Sequence, residues 1–75
     1  MTHTPRPQPS YVDCLERVGR GPVVRWRDDR GNFYEYDGLH VELEVYNRRG
    51  RHIGVADIHT GVIIKPAVKG RRIDV

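Results

Sequence analysis

The chain has few of the devices that usually stabilise a small protein. Its single cysteine, Cys14, excludes an internal disulfide framework and any zinc site built from several cysteines. Apolar residues make up only 37% of the 75 positions and charged residues 31%. A core of this size contributes only about 3–5 kcal/mol. Long apolar runs are missing too: none reaches the ~18–20 residues that span a bilayer, and the N-terminus has no signal-peptide h-region. The length leaves no room for a nucleotide-binding βαβ unit or a large substrate domain. No P-loop, GxGxxG or GxSxG pattern occurs. What remains is one compact soluble domain of a reducing compartment, with its function on its surface.

Charge is abundant and unevenly placed. Residues 1–27 carry a balance of +3, residues 28–47 one of −5, and residues 48–75 one of +5. Eleven of the 13 cations are arginine, the side chain whose planar fork matches phosphate. An acidic middle between basic flanks is unusual for a plain nucleic-acid binder, because carboxylates repel phosphate. Two readings stay open. The middle is a solvated sheet face of mixed charge, or the flanks hold a phosphate backbone while the carboxylates do chemistry on it.

Residues 1–9, with three of the five prolines and no apolar periodicity, read as a flexible tail ahead of a single domain at 10–75. Ser10 with Asp13 three residues later resembles a capping box. Tyr11, Leu15 and Val18 follow at helical spacing, which predicts a short helix over residues 11–18, broken by Gly21-Pro22. From Val23 the pattern changes to short β-runs: Val23–Arg27, Asn32–Tyr36, Val41–Asn47, His52–Ile58 and Val62–Lys65, with a last edge strand expected in Lys69–Val75. Gly-containing turns between them, among them Arg48-Arg49-Gly50, predict an antiparallel meander. The expected fold class is α+β, a short N-terminal helix packed on a highly twisted antiparallel sheet.

Strand alternation sorts the acidic middle. Val41, Leu43 and Val45 share the core face, whereas His40, Glu42, Glu44 and Tyr46 share the other, with Asp37 just upstream. Carboxylates beside an imidazole are the equipment of general acid–base catalysis, and crowding raises the proton affinity of each. An ordinary polar sheet face is the competing explanation. His52 and His59, seven apart, do not fall on one face by simple alternation, and no histidine has a metal-ligand spacing. Cys14 within a helix reads as a buried, inert thiol. Trp26, Phe33, Tyr34, Tyr36 and Tyr46 are either base-stacking or packing residues.

The residues from Tyr34 to Tyr46 (YEYDGLHVELEVY) resemble the Y-E-W-D-x-x-H-G-E-L-E-x-Y motif of the cytotoxic ribonuclease domain of the ribosome-inactivating colicins and cloacin. A second block, His52-Ile53-Gly54, Asp57 and Thr60-Gly61, is similar to that family's H-L-G-x-x-D-x-x-T-G. Arg25-Trp26 and Arg71 with Ile73 extend the likeness, which is strongest over Arg25 to Ile73. Tyr36 stands where the family has tryptophan, and Val41 and Val45 where it has glycine. The C-terminal cations are fewer than in the family's lysine-rich tail.

The resemblance implies a metal-independent endoribonuclease toxin, without cofactor, that cuts small-subunit (16S) rRNA at the decoding site and stops translation. In that chemistry the ribose 2′-hydroxyl attacks its own phosphate, leaving a 2′,3′-cyclic phosphate and a 5′-hydroxyl. Carried over by position, Glu44 is the base, His40 the acid, Asp37 the group that orients His40, and Arg71 the stabiliser of the phosphorane. Arg72 is the alternative after a one-residue slip, and Glu42 has a supporting role. Candidate RNA contacts are Arg48, Arg49, Arg51, Lys65, Lys69, Arg72 and Tyr46. The partners implied are the 30S subunit of the ribosome and an acidic immunity protein or antitoxin. The chain starts at its own Met1 without receptor or translocation domains, so a free-standing toxin acting in the cytoplasm and an excised domain delivered from another cell are both expected settings. The alternatives are a non-catalytic β-domain binding RNA or protein, and a ribonuclease of the same fold acting on tRNA.

Overall fold

The computed structural model describes residues 2–75. Six strands form one antiparallel sheet in sequential order: β1 (Glu16–Arg17), β2 (Trp26–Arg27), β3 (Phe33–Asp37), β4 (Glu42–Tyr46), β5 (His52–Asp57) and β6 (Ile63–Pro66). The meander expected from the turn spacing is therefore present. The helical half of the α+β expectation is not. Ser10 does start a turn, with its backbone N–H donating to Asp13 Oδ2 at 2.7 Å, but Tyr11–Cys14 form only a single 3-10 turn. Leu15 is already extended, and Glu16 and Arg17 pair with Arg27 and Trp26. The physical reason is that backbone groups after the turn find partners across the sheet, and a strand that far away in sequence leaves no local signal. Cys14 is correspondingly exposed, not buried, and its thiol donates to the Tyr11 carbonyl. The C-terminal edge strand is also absent. It shrinks to one bridge between Arg51 and Arg72, with the Ile73 N–H donating to the Gly50 carbonyl.

The two faces of the sheet have different jobs. One carries Trp26, Tyr34, Leu43, Val45 and Ala56, which pack with Val12 and Ile58 into the core. Leu43 and Val45 are fully buried there, as alternation requires, and Val41 packs at the edge of the cluster. The 3-10 turn is docked by a hydrogen bond from the Tyr11 N–H to the Ile58 carbonyl, which lays Val12 onto this face. The other face carries the charged residues. Register sets Glu35 opposite Glu44 and Asp37 opposite Glu42.

Two backbone features position that charged face. Gly50 has φ +82 in the β4–β5 turn, and an added Cβ would strike the Ile73 carbonyl, so the turn and the C-terminal segment close on each other only with glycine. Val41, just before β4, has φ +53, a conformation that a β-branched residue adopts only under strain. Glycine stands at this position in the motif that the segment resembles.

Candidate active site

Glu44, at the middle of β4, is held from two distant parts of the chain. His52 Nε2 lies 2.8 Å from its Oε1, and Arg71 Nη1 donates to the same oxygen at 2.7 Å. The His52 side chain is fully buried. Its Nδ1 accepts the Val68 N–H at 2.9 Å, so the proton sits on Nε2 and is donated to Glu44. The loop carrying Arg71 is tied to the same histidine, because the His52 N–H donates to the Arg71 carbonyl. Glu44 Oε2 has no hydrogen-bond partner among the described residues. One carboxylate oxygen is thus anchored and the other open.

His40 repeats the arrangement in a different setting. It lies in the β3–β4 turn with its side chain 57% exposed, and its Nδ1 is 2.7 Å from Asp37 Oδ2. Nε2 has no partner among the described residues. Asp37 Oδ1 also accepts the Leu39 and His40 backbone N–H groups at 2.9 and 3.3 Å. Partial burial favours the protonated acid, but the His40 hydrogen bond and these two amides outweigh it and hold the Asp37 carboxyl below the usual range. Glu42, the first residue of β4, is paired with Lys65 Nζ at 2.8 Å. Among the described residues, no group of three or more His, Cys, Asp or Glu side chains is arranged to hold a metal ion.

A family model described as Cytotoxic matches residues 7–74. The chain belongs to this family. No curated protein matches the chain. The cytotoxic domain is a toxin module, in keeping with the likeness to colicins and cloacin.

The remaining candidates of this cytotoxic domain fall into two groups. Arg48, Arg49, Arg51, Lys65, Lys69 and Arg72 are exposed. Lys65 is already engaged by Glu42, and Arg72 is bridged to Arg51 and makes no ion pair with Glu44. Of the two adjacent arginines it is therefore Arg71 whose guanidinium reaches Glu44. Tyr46 is only 5% exposed and meets the His52 ring edge-on at 5.2 Å between centroids, which makes it a wall of the site and not an open stacking surface. Burial, with the negative charges of Glu35 and Glu44 nearby, pushes its hydroxyl above the ordinary tyrosine value.

His52 is the residue that sequence reasoning passed over. Counting back from the Arg48-Arg49-Gly50 turn sets Tyr46 opposite His52 and so puts the histidine on the glutamate face. A bulge between Val45 and Tyr46 then pairs Glu44 with Val55, leaving His52 diagonal to it.

Proposed function

We propose that this cytotoxic domain is a metal-independent endoribonuclease that cuts 16S rRNA at the decoding site of the 30S subunit and stops translation. The observation that carries the reading is the matched pair of half-anchored groups: Glu44 held through Oε1 with Oε2 open, and His40 held through Nδ1 with Nε2 open. Each is oriented by the protein and each keeps one atom for substrate.

In the proposed reaction Glu44 Oε2 takes the proton from a ribose 2′-hydroxyl, whose oxygen attacks the adjacent phosphorus. His40 Nε2 gives its proton to the departing 5′-oxygen as the P–O5′ bond breaks. The products are a 2′,3′-cyclic phosphate and a 5′-hydroxyl, and Glu44 and His40 have exchanged roles in proton terms. A glutamate is ionised at neutral pH, and a histidine beside a carboxylate can carry the proton that is needed. Asp37 fixes the His40 ring through Nδ1. Arg71, adjacent to Glu44, faces the charge that develops on the phosphorane. Glu42, neutralised by Lys65, supports the row without taking a proton. The ribosomal target and the cytoplasmic site of action rest on the resemblance of the 34–46 and 52–61 blocks. A toxin of this kind requires a neutralising immunity partner, and the basic flanks favour an acidic one. No helix among the described residues is long and apolar enough to cross a membrane.

The test is incubation of the purified chain, with chelator, with intact 70S ribosomes and separately with naked total RNA, mapping the RNA ends. The expected result is one new end near the 3′ end of the small-subunit rRNA, absent with His40→Ala. Cleavage of tRNA alone would keep the chemistry and replace the target. Intact RNA in every lane would leave a binding module.

A further inference from the structure

On the charged face, between β2, Phe33 of β3 and the C-terminal segment, lies a groove of about 730 Å³ that none of the catalytic groups lines. Register places it. Glu35 lies directly opposite Glu44, and Arg25 sets Nε and Nη2 on Glu35 Oε2 at 3.0 and 2.8 Å. The groove therefore begins at Arg25, on the far side of Glu35, which is itself one paired strand (~4.8 Å) from Glu44. Its far wall is the C-terminal segment, which leads directly back to Arg71. The volume falls within the ~300–1,000 Å³ of ordinary ligand sites.

Its chemistry is specific. Four arginines, Arg20, Arg25, Arg27 and Arg72, line it, with Asp74 as the one acidic residue. Arg25 and Arg27 are held by Glu35 and Glu16. Arg20 and Arg72 have no carboxylate partner among the described residues. Phe33 lines the same groove, with the Arg25 guanidinium carbon 5.8 Å from its ring centroid. An aromatic ring carrying a fixed guanidinium is a platform for an unstacked base, and unpaired arginines beside it suit the adjoining phosphates.

We propose that this groove is the subsite for the single-stranded RNA flanking the bond to be cut. One base stacks on the Phe33–Arg25 platform, and Arg20 and Arg72 take the neighbouring phosphates. An acidic polypeptide would use the arginines but not the platform, so Phe33 separates the two occupants. The inference rests on the ribonuclease reading for the direction of the strand, but not for the binding itself.

The experiment is fluorescence anisotropy with a labelled single-stranded RNA octamer, 2′-O-methylated throughout so that it cannot be cut. It is titrated onto the full chain and onto Arg20→Ala, Arg72→Ala and Phe33→Leu, with Arg30→Ala as a charge-matched control outside the groove. Each arginine variant is expected to weaken binding several-fold and to lower the salt slope by about 0.7, the loss of one phosphate contact on a single strand. Phe33→Leu is expected to weaken it about tenfold. The control should match the wild type. No binding, or groove variants indistinguishable from Arg30→Ala, overturns the subsite. Loss in the arginine variants with no loss in Phe33→Leu overturns the stacking platform and favours an acidic occupant. If Phe33→Leu fails to fold, the two exposed arginines carry the test alone. Cleavage measured in parallel separates the two ideas: groove-dependent binding without any cut RNA sinks the nuclease reading and keeps the subsite. Cleavage with insensitive binding does the reverse.

Discussion

Glu44, on the charged face of β4, and His40, in the turn before it, are mounted in opposite ways. Glu44 is fixed by groups from two other parts of the chain, a buried histidine on β5 and an arginine 27 residues away. His40 rides on an exposed turn and is fixed by a carboxylate three residues away. The difference teaches that the proposed base depends on the tertiary fold and the proposed acid on local chain chemistry. Damage to the fold should reach Glu44 first, whereas damage to the turn should reach His40 without unfolding the molecule.

The largest expected effects come from removing the groups themselves. His40→Ala and Glu44→Gln should each lower cleavage by about 10²–10⁴-fold, the range for loss of a general acid or base. The comparison predicts a split in stability. The His40 variant should melt like the wild type, because its side chain is exposed, while Glu44→Gln should melt lower because two donors lose a carboxylate. Equal melting temperatures for the two would break the comparison.

His52→Ala probes the tertiary mount. It strips a donor from Glu44 and leaves the Val68 N–H without its acceptor, at a cost of about 1–3 kcal/mol. For a domain this small, each kcal/mol lowers Tm by about 4–8 °C. Thermal melts and cleavage rates should fall together in this variant. Full activity with a lowered Tm would make His52 purely structural.

Asp37→Asn probes the local mount through pH. The Asp37 carboxyl is held below its ordinary value in the folded state, so its contribution to stability is complete above about pH 4 and is lost as pH falls through the folded value. The variant should lack that part of the acid-side loss, giving a flatter stability curve below pH 4 in denaturant melts, while its cleavage rate drops at neutral pH. A curve identical to the wild type would mean that the His40 and amide contacts do not set this group.

The smallest effect tests the strain in the turn. Val45→Gly should cost about 3 kcal/mol, because it empties a fully buried core position and adds backbone freedom. Val41→Gly should change stability by less than about 1 kcal/mol, since relief of the positive φ, worth about 1–3 kcal/mol, offsets the lost packing. Chemical denaturation of the two variants decides it, and equal losses would show that Val41 is unstrained.

Much of this architecture was legible from alternation and turn residues. Leu43 and Val45 had to face the core together, and Arg48-Arg49-Gly50 had to be a turn. Those two facts already put Glu42 and Glu44 on the opposite face. The rest depended on partners distant in sequence. Tyr11, Leu15 and Val18 carry helical spacing, but residues 16–17 are captured by β2, and a one-turn start followed by a strand reads like a helix in one dimension. His52 reaches the glutamate face only through the hairpin register, Tyr46 opposite His52, which alternation counted along one strand does not show. The C-terminal cations looked like one patch. Folding divides them, with Arg71 on Glu44 and Arg72 in the neighbouring groove.

The most direct test of the central claim is the pH dependence of single-turnover cleavage, with chelator present, for the wild type and for Glu44→Gln and His40→Ala. The expected profile is a bell from one base and one acid, with the acid limb lost in the glutamine variant and the alkaline limb lost in the alanine variant. A flat wild-type profile, or a bell that survives in both variants, would contradict the assignment of base and acid to these two half-anchored groups.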